Sequence, residues 1–280
     1  DLVIVDNAVE FLRAHGNERW LLDLHLLDVL QYVYSEQSAL FGSDYSDIYD
    51  NSIHHTDTTL GRLLTFMAEN GLLEKTLVVI TSDHGEAFSE RGIEGHARHV
   101  YRESTEIPLI LGLPFRLEPG LAVDVRSRNI DVWPTVLDLL GLPALEDRDG
   151  RSLVPEILAA FEGEPAAGGG DLAIAHLDRT WGQRQRKPNP AVALVEDRFR
   201  YIYAPEPSGG LEEHLFDGRN DTLERSDVIA DHPERADRLR EAARVYLEKS
   251  PPAPWGGGTT RVEIDEMELN QLRALGYELP

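Results

Sequence analysis

The sequence predicts an α/β protein: a larger part built on a mostly parallel sheet sandwiched by helices, then a smaller α+β part. The continuous apolar run at 77–81 is typical of a parallel strand buried on both faces. The segment at 50–70 repeats its apolar residues at helical spacing. An Ala/Gly/Pro-rich stretch at 163–170 then interrupts the pattern. We therefore expect an α/β domain over residues 1–162 and a small α+β subdomain over residues 171–280.

The elements of the first part follow from the spacing of apolar residues. The pattern predicts a helix at 6–15, a strand at 20–27, and a loop rich in Tyr, Ser and Asp at 31–49. The helix at 50–70 ends before Gly71, as a C-terminal glycine favours. After the strand at 77–81, the sequence predicts a second strand at 107–113 and a helix at 129–140.

Beyond residue 170 the apolar runs become short and alternating, which predicts a small antiparallel sheet. The expected strands lie at 172–177, 191–195 and 198–203. A helix at 233–249, an extended connector at 251–258 and a last helix at 265–275 complete the chain.

The composition excludes several classes of function. With 27 Lys and Arg against 50 Asp and Glu, the net charge is −23, which argues against nucleic acid and against an anionic membrane surface. An anionic substrate would need local rescue by a cation or by converging donors. The absence of cysteine excludes disulfides, a thiolate zinc site and a cysteine nucleophile within these residues. No apolar run is long enough to cross a bilayer.

The most informative motif is Thr81-Ser-Asp-His-Gly-Glu86, directly after the apolar strand at 77–81. At the lip of an open α/β sheet, Asp83 and His84 would offer a carboxylate oxygen and an imidazole nitrogen to a divalent cation, or an acid/base pair. The alternative is that Asp83 caps a following helix while His84 lies in a turn. A divalent site would also need at least two further ligands.

Further histidines and one aspartate are weaker candidates. His96, in a polar glycine-flanked loop between two predicted strands, could bind an oxyanion or donate a proton. Asp28, at the end of the strand at 20–27, is expected to be functional or turn-forming. The remaining histidines have structural interpretations: His25 in the core, His99 at the surface, and His54 and His55 on a helix where adjacent side chains diverge.

These motifs, in this order, resemble the sulfatase family of the alkaline phosphatase superfamily. The matching blocks are 79–86, 95–110, 129–143, 199–221 and 272–277. The resemblance implies an alkaline phosphatase-like fold with a small C-terminal sheet. It also implies that Asp83 and His84 bind a divalent cation, usually Ca²⁺, with Mg²⁺, Mn²⁺ or Zn²⁺ in relatives. By the same resemblance His96 reaches the sulfate or phosphate ester group, and Asp28 is a candidate substrate-binding residue.

Two departures from the family pattern qualify this expectation. The chain lacks the family's nucleophile block, which is a Cys or Ser in C/S-x-P-x-R. It also lacks the early Asp pair that supplies further metal ligands. The chain is therefore expected to be the C-terminal portion of a longer protein and to be inactive alone. Leu30 stands where relatives carry a substrate-contacting histidine. This change would shift the substrate class or mark a weakened or inactive relative.

The leading hypothesis is a metal-dependent hydrolase of sulfate esters, acting on a small molecule or a glycan. One alternative is a phosphodiester or phosphonate monoester hydrolase, or a phosphoglycerol-transferase-like enzyme, on the same fold. Another is a non-catalytic sulfatase-like protein that binds sulfated glycans or a protein partner. Because sheet edges and apolar surface would be exposed, the chain is expected to self-associate or to pair with its missing N-terminal half.

Overall fold

A computed structural model describes residues 1–114, 120–164, 172–180 and 187–249. The chain divides into two compact units, Asp1–Ala236 and Asp237–Pro280. Of the second unit, residues 237–249 are described, and they are helical. The boundary between these units differs from the predicted division into 1–162 and 171–280, and that division stays a prediction. The predicted connector at 251–258, the helix at 265–275 and the family block at 272–277 lie outside the described residues, as does most of the stretch at 163–170.

Two helices form the first core of the larger unit. Helix α1 spans Leu2–His15 and helix α2 spans Tyr45–Glu69, so both predicted helices are confirmed. Helix α2 begins earlier than the apolar pattern indicated, because Asp44 and Asp47 form a capping box at its start. Their shared core consists of Val5, Ala8, Leu12, Leu63, Met67 and Leu72. Burying each large apolar side chain stabilises the fold by roughly 1.5–3 kcal/mol, so this core holds the two helices together.

The predicted strand at 20–27 is wrong, because these residues belong to no regular element. The segment keeps the alternation of a strand, and Trp20, Leu22 and Leu24 pack on the α1–α2 core. His25 falls on the other face and is exposed, so its expected place in the core is also wrong. A strand is completed only by hydrogen bonds to a neighbouring strand, and none pairs with this segment in the described part of the chain.

The two other strands predicted in the first part are confirmed, although their pairing differs from the expectation. Strand β1 spans Val78–Thr81 and strand β4 spans Leu109–Gly112. Between them in the chain lie two short strands, β2 at Ala87–Phe88 and β3 at Glu94–Gly95. Strands β1 and β4 form a two-stranded antiparallel sheet in which Thr81 faces Leu109. Neither strand is buried on both faces. The predicted parallel sheet is therefore not confirmed, because each strand lacks a second neighbour within the described ranges.

Short elements connect this pair of strands and carry the loops around it. Strands β2, Ala87–Phe88, and β3, Glu94–Gly95, form a small hairpin. Helix α3, Arg102–Thr105, follows it. Helix α4 spans Val132–Leu139 after a 3₁₀ turn at Asn129–Asp131, which confirms the helix predicted at 129–140. Helix α5, Val154–Glu162, has an amphipathic pattern that the sequence analysis missed.

The small antiparallel sheet predicted for the second half is confirmed. Its four strands follow one another in chain order: β5 at Ala173–Asp178, β6 at Pro190–Glu196, β7 at Phe199–Pro205 and β8 at Leu211–Asp217. Helix α6 spans Pro233–Lys249, as predicted. One core cluster of the sheet includes Val100, with Tyr101 packed against it, which ties the sheet to the segment after β3. No helix in the described ranges is both long and apolar enough to span a bilayer.

Candidate functional site

The end of strand β1 delivers the predicted metal ligands to the surface of the sheet. At Gly85 the chain lies against helix α3, where the N–H of Gly85 donates to the carbonyl of Ser104 at 3.0 Å. A Cβ atom on Gly85 would lie 2.2 Å from the carbonyl oxygen of Glu103. Only glycine allows this close approach to helix α3, and the approach fixes the direction in which Asp83 and His84 leave the strand.

Asp83 and His84 present one oxygen and one nitrogen to the same place. The Asp83 side chain is 74% exposed, and its Oδ1 lies 3.8 Å from His84 Nε2. His84 Nδ1 lies 2.8 Å from the carbonyl oxygen of Gly85. A carbonyl only accepts, so Nδ1 carries the proton and Nε2 keeps a free lone pair beside the carboxylate. This is the arrangement that metal-binding histidines adopt, in which the second ring nitrogen donates to a backbone carbonyl.

These two donors fit a divalent cation in chemistry but not in number. Within residues 1–114, 120–164, 172–180 and 187–249, no group of three or more His, Asp or Glu could hold a metal ion. A hard cation such as Ca²⁺ takes six to eight oxygen ligands and Mg²⁺ takes six. Asp83 and His84 therefore supply part of a coordination shell, and the other ligands would come from elsewhere.

His96 lies against this pair. Its ring is stacked on the ring of His84, with centroids 4.3 Å apart and an interplanar angle of 26°. Its Nδ1 is 3.4 Å from Oε2 of Glu86, and its side chain is 39% exposed. The structure thus brings His96 against Asp83 and His84, which lie twelve or more residues earlier in the sequence.

Asp28 lies in a different environment. Its Oδ2 is 3.8 Å from Nε2 of His55, and Nδ1 of His55 contacts Ser38 Oγ at 3.1 Å. The turn at 28–32 nevertheless touches the site, because the hydroxyl of Tyr32 donates to Glu86 Oε2 at 3.0 Å. Leu30, at the tip of this turn, is 39% exposed.

A cavity of about 1510 Å³ opens beside Asp83, His84 and His96, which line it. Four further carboxylate residues and seven arginines also line this cavity, in a chain whose net charge is −23. The arginines are Arg102, Arg126, Arg128, Arg198, Arg200, Arg219 and Arg235. Guanidinium groups match sulfate, phosphate and carboxylate geometry. Five of these arginines, Arg102, Arg128, Arg198, Arg200 and Arg235, are ion-paired with carboxylates of the chain.

Arg126 is a half-buried cation in the lining of this cavity. Its guanidinium donates to the carbonyl oxygen of Asp197. Burial and the nearby charge of Arg200 both lower the pKa of Arg126, while Asp197 and two glutamates act in the opposite direction. An anion bound beside it would relieve the repulsion between the two guanidinium groups.

His99 is not at the surface, so that expectation was wrong. Its side chain is 9% exposed and lies 3.8 Å from Glu103. Burial lowers the pKa of His99. The residue sits in a polar, charged stretch of sequence, and its burial comes from the packing of the following segment against the small sheet, which local sequence does not encode.

Comparisons with known proteins identify the family of this chain. The family model "Sulfatase" matches residues 1–142, so this chain belongs to the sulfatase family. It is 31% identical over 189 residues to the choline-sulfatase of Rhizobium meliloti, covering 66% of this chain and 33% of that protein. It is 34% identical over 209 residues to the arylsulfatase K of Gallus gallus, covering 69% and 35%. The chain thus spans about a third of the length of these curated relatives.

A solved structure adds a second chemistry to the comparison. The phosphonate monoester hydrolase of Agrobacterium radiobacter superimposes with a TM-score of 0.55 and 28% identity, over 73% of this chain and 41% of that one. The chain is therefore similar in sequence to enzymes named for sulfate esters and in structure to one named for phosphonate esters.

Proposed function

We propose that the protein to which this chain belongs is a metal-dependent sulfatase-type hydrolase of sulfate esters. The observation that carries the proposal is the convergence of Asp83, His84 and His96 on an arginine-lined cavity. Membership of the sulfatase family supports the reaction class.

Each of the three residues has a role that its geometry supports. Asp83 Oδ1 and His84 Nε2 would hold the divalent cation, Ca²⁺ or one of Mg²⁺, Mn²⁺ and Zn²⁺. When bound, the cation would stabilise negative charge on the transferred group. His96, partly exposed beside them, would neutralise an ester oxygen or protonate the leaving alkoxide. The arginines would bind the anionic substrate.

Metal binding tests this assignment. In the complete protein that contains this chain, Asp83→Ala and His84→Ala should each weaken Ca²⁺ or Mn²⁺ binding at least about tenfold and abolish ester hydrolysis, since each removes a donor. Isothermal titration calorimetry measures the affinity and an aryl sulfate measures turnover. Asp23→Ala removes an exposed carboxylate from the segment at 19–27 and should change neither. Unaltered metal affinity in the Asp83 variant would refute the metal assignment.

A phosphodiester or phosphonate monoester hydrolase is the second candidate, favoured by the match to the Agrobacterium enzyme. Sulfate monoesters carry one negative charge and phosphodiesters also carry one, so the cavity charge suits both. The ratio of kcat/KM for an aryl sulfate and an aryl phosphodiester separates them: a ratio above one supports the sulfatase, and a ratio below one the alternative. No turnover of either, with the nucleophile segment present, would favour the non-catalytic binding protein that Leu30 suggests.

A further inference from the structure

The β2–β3 hairpin places Glu86 directly across from His96. In this antiparallel pair Phe88 faces Glu94 and Ala87 faces Gly95. Continued by one residue, the same register sets position 86 opposite position 96. Directly opposed residues on one face of an antiparallel pair have Cβ atoms about 4.5–5.5 Å apart, so their side chains interact.

Glu86 is a buried carboxylate with only part of its bonding capacity used. Its side chain is 4% exposed. Oε2 accepts from the hydroxyl of Tyr32 at 3.0 Å and lies 3.4 Å from His96 Nδ1. Oε1 is buried with no hydrogen-bond partner in the described part of the chain. Burying a carboxylate is costly unless its oxygens are paired, so its presence here calls for a function beyond packing.

Tyr32 is itself held against Glu86. Its hydroxyl lies 2.6 Å from that of Tyr45 on helix α2, and its backbone is in the left-handed region at φ 54°. That conformation is uncommon for a residue with a large side chain, and surrounding structure must maintain it. Burial, followed by these two hydrogen bonds, raises the pKa of Tyr32 far above its ordinary value. The phenol therefore stays protonated and donates.

We propose that Glu86 is the positioning residue of His96. Its Oε2 accepts a hydrogen bond from Nδ1–H, which fixes the neutral ring in one tautomer and leaves Nε2, on the opposite edge, free at the cavity. Stacking on His84 fixes the plane of the ring, and Tyr32 fixes the carboxylate. The value of this arrangement for catalysis depends on the proposed function, in which Nε2 of His96 meets the ester.

The tautomer of His96 is measurable in this chain without substrate or metal. Long-range ¹H–¹⁵N correlation spectra of the ¹⁵N-labelled protein, with His96→Gln to assign the resonance, should show the neutral ring protonated at Nδ1. In Glu86→Gln the amide can donate as well as accept, so the population should shift toward Nε2–H. Tyr32→Phe removes one support of the carboxylate and should shift it less. Glu94→Gln, the same change on an exposed residue of the hairpin, should leave it unchanged.

The result separates this inference from the proposed function. A wild-type ring protonated at Nε2, or the same tautomer in Glu86→Gln as in the wild type, overturns the positioning role. In the complete enzyme, Glu86→Gln should lower kcat about 10- to 100-fold while KM stays within about twofold, as loss of an orienting partner does. If the tautomer shifts as expected but no ester is hydrolysed by the wild type, positioning holds and the proposed function fails.

Discussion

The environment of Gly85 shows how one residue sets the geometry of the site. Its close approach to the carbonyl of Glu103 is between backbone atoms, which cannot swing away as a flexible side chain can. Any side chain at this position would push strand β1 and helix α3 apart. Asp83 and His84, immediately before it, would then leave the strand in a different direction.

We predict that Gly85→Ala destabilises the protein by about 1–3 kcal/mol, the usual cost of overpacking. Gly61→Ala is the matched control, because Gly61 lies inside helix α2 with no atom within 4 Å of an added Cβ. Alanine should stabilise that helix by roughly 0.5–1 kcal/mol. Urea unfolding measures both changes. Equal effects of the two substitutions would contradict the close contact at Gly85.

Candidate site residues could be chosen from sequence where chemistry and position coincide. Asp83, His84 and His96 carry metal-binding or titratable groups beside a strand, and the structure brings them together, while their roles stay predictions. Glu86 was missed as a partner of His96 because its role depends on the hairpin register, which brings together residues ten positions apart. A sequence signal for this contact was present: Glu86 and Phe88 alternate in one half of the hairpin, and Glu94 and His96 alternate in the other.

At the scale of elements, helices were predicted better than strands for a physical reason. A helix satisfies its backbone hydrogen bonds internally, so the apolar spacing of α1, α2 and α6 was sufficient. A strand depends on a partner elsewhere in the chain. The segment at 20–27 has strand alternation without a partner, and β1 and β4 have strand sequences whose antiparallel pairing the apolar runs did not reveal.

The start of helix α4 depends on one buried carboxylate. Asp131 is 1% exposed and accepts four hydrogen bonds, three from Arg128 and one from the backbone N–H of Arg151, at 2.8–3.0 Å. Burial alone would raise the pKa of Asp131, but these bonds outweigh it, and its pKa lies below the ordinary value. The carboxylate thus joins the turn before α4 to the segment that leads into α5.

We predict that Asp131→Asn lowers the free energy of unfolding by about 3 kcal/mol at pH 7, because Arg128 loses its buried partner. Because the pKa of Asp131 in the folded state lies below the unfolded value of about 3.9, its ionised carboxylate stabilises the fold above pH 3.9. This stabilisation is lost as the pH falls through the folded-state pKa. The difference between wild type and variant should therefore shrink below about pH 4. Asp138→Asn, an exposed change on the same helix, should cost much less. A pH-independent difference would show that the ionised carboxylate is not what stabilises this junction.

At the scale of the whole molecule, net charge and exposed apolar surface have opposite effects on association between chains. At low ionic strength the net charge of −23 makes copies of the chain repel one another. Added salt screens this repulsion, which at 0.1 M salt extends only about 10 Å. Large apolar side chains are nevertheless exposed, among them Leu21 at 72%, Val3 at 71% and Ile110 at 55%. Ile110 lies on β4, which pairs only with β1 in the described residues.

We predict that this chain alone self-associates once salt screens its charge, because exposed apolar surface and strand edges favour contact with other chains. Sedimentation velocity should show larger species at 0.5 M NaCl than at 0.02 M NaCl. Ile110→Lys places a charge on strand β4 and should reduce association. Leu158→Lys changes a side chain that is 49% exposed on helix α5 rather than on a strand, and should reduce association less. A monodisperse monomer at both salt concentrations would show that this apolar surface is not an interface, and that the sheet of β1 and β4 is stable without a further strand.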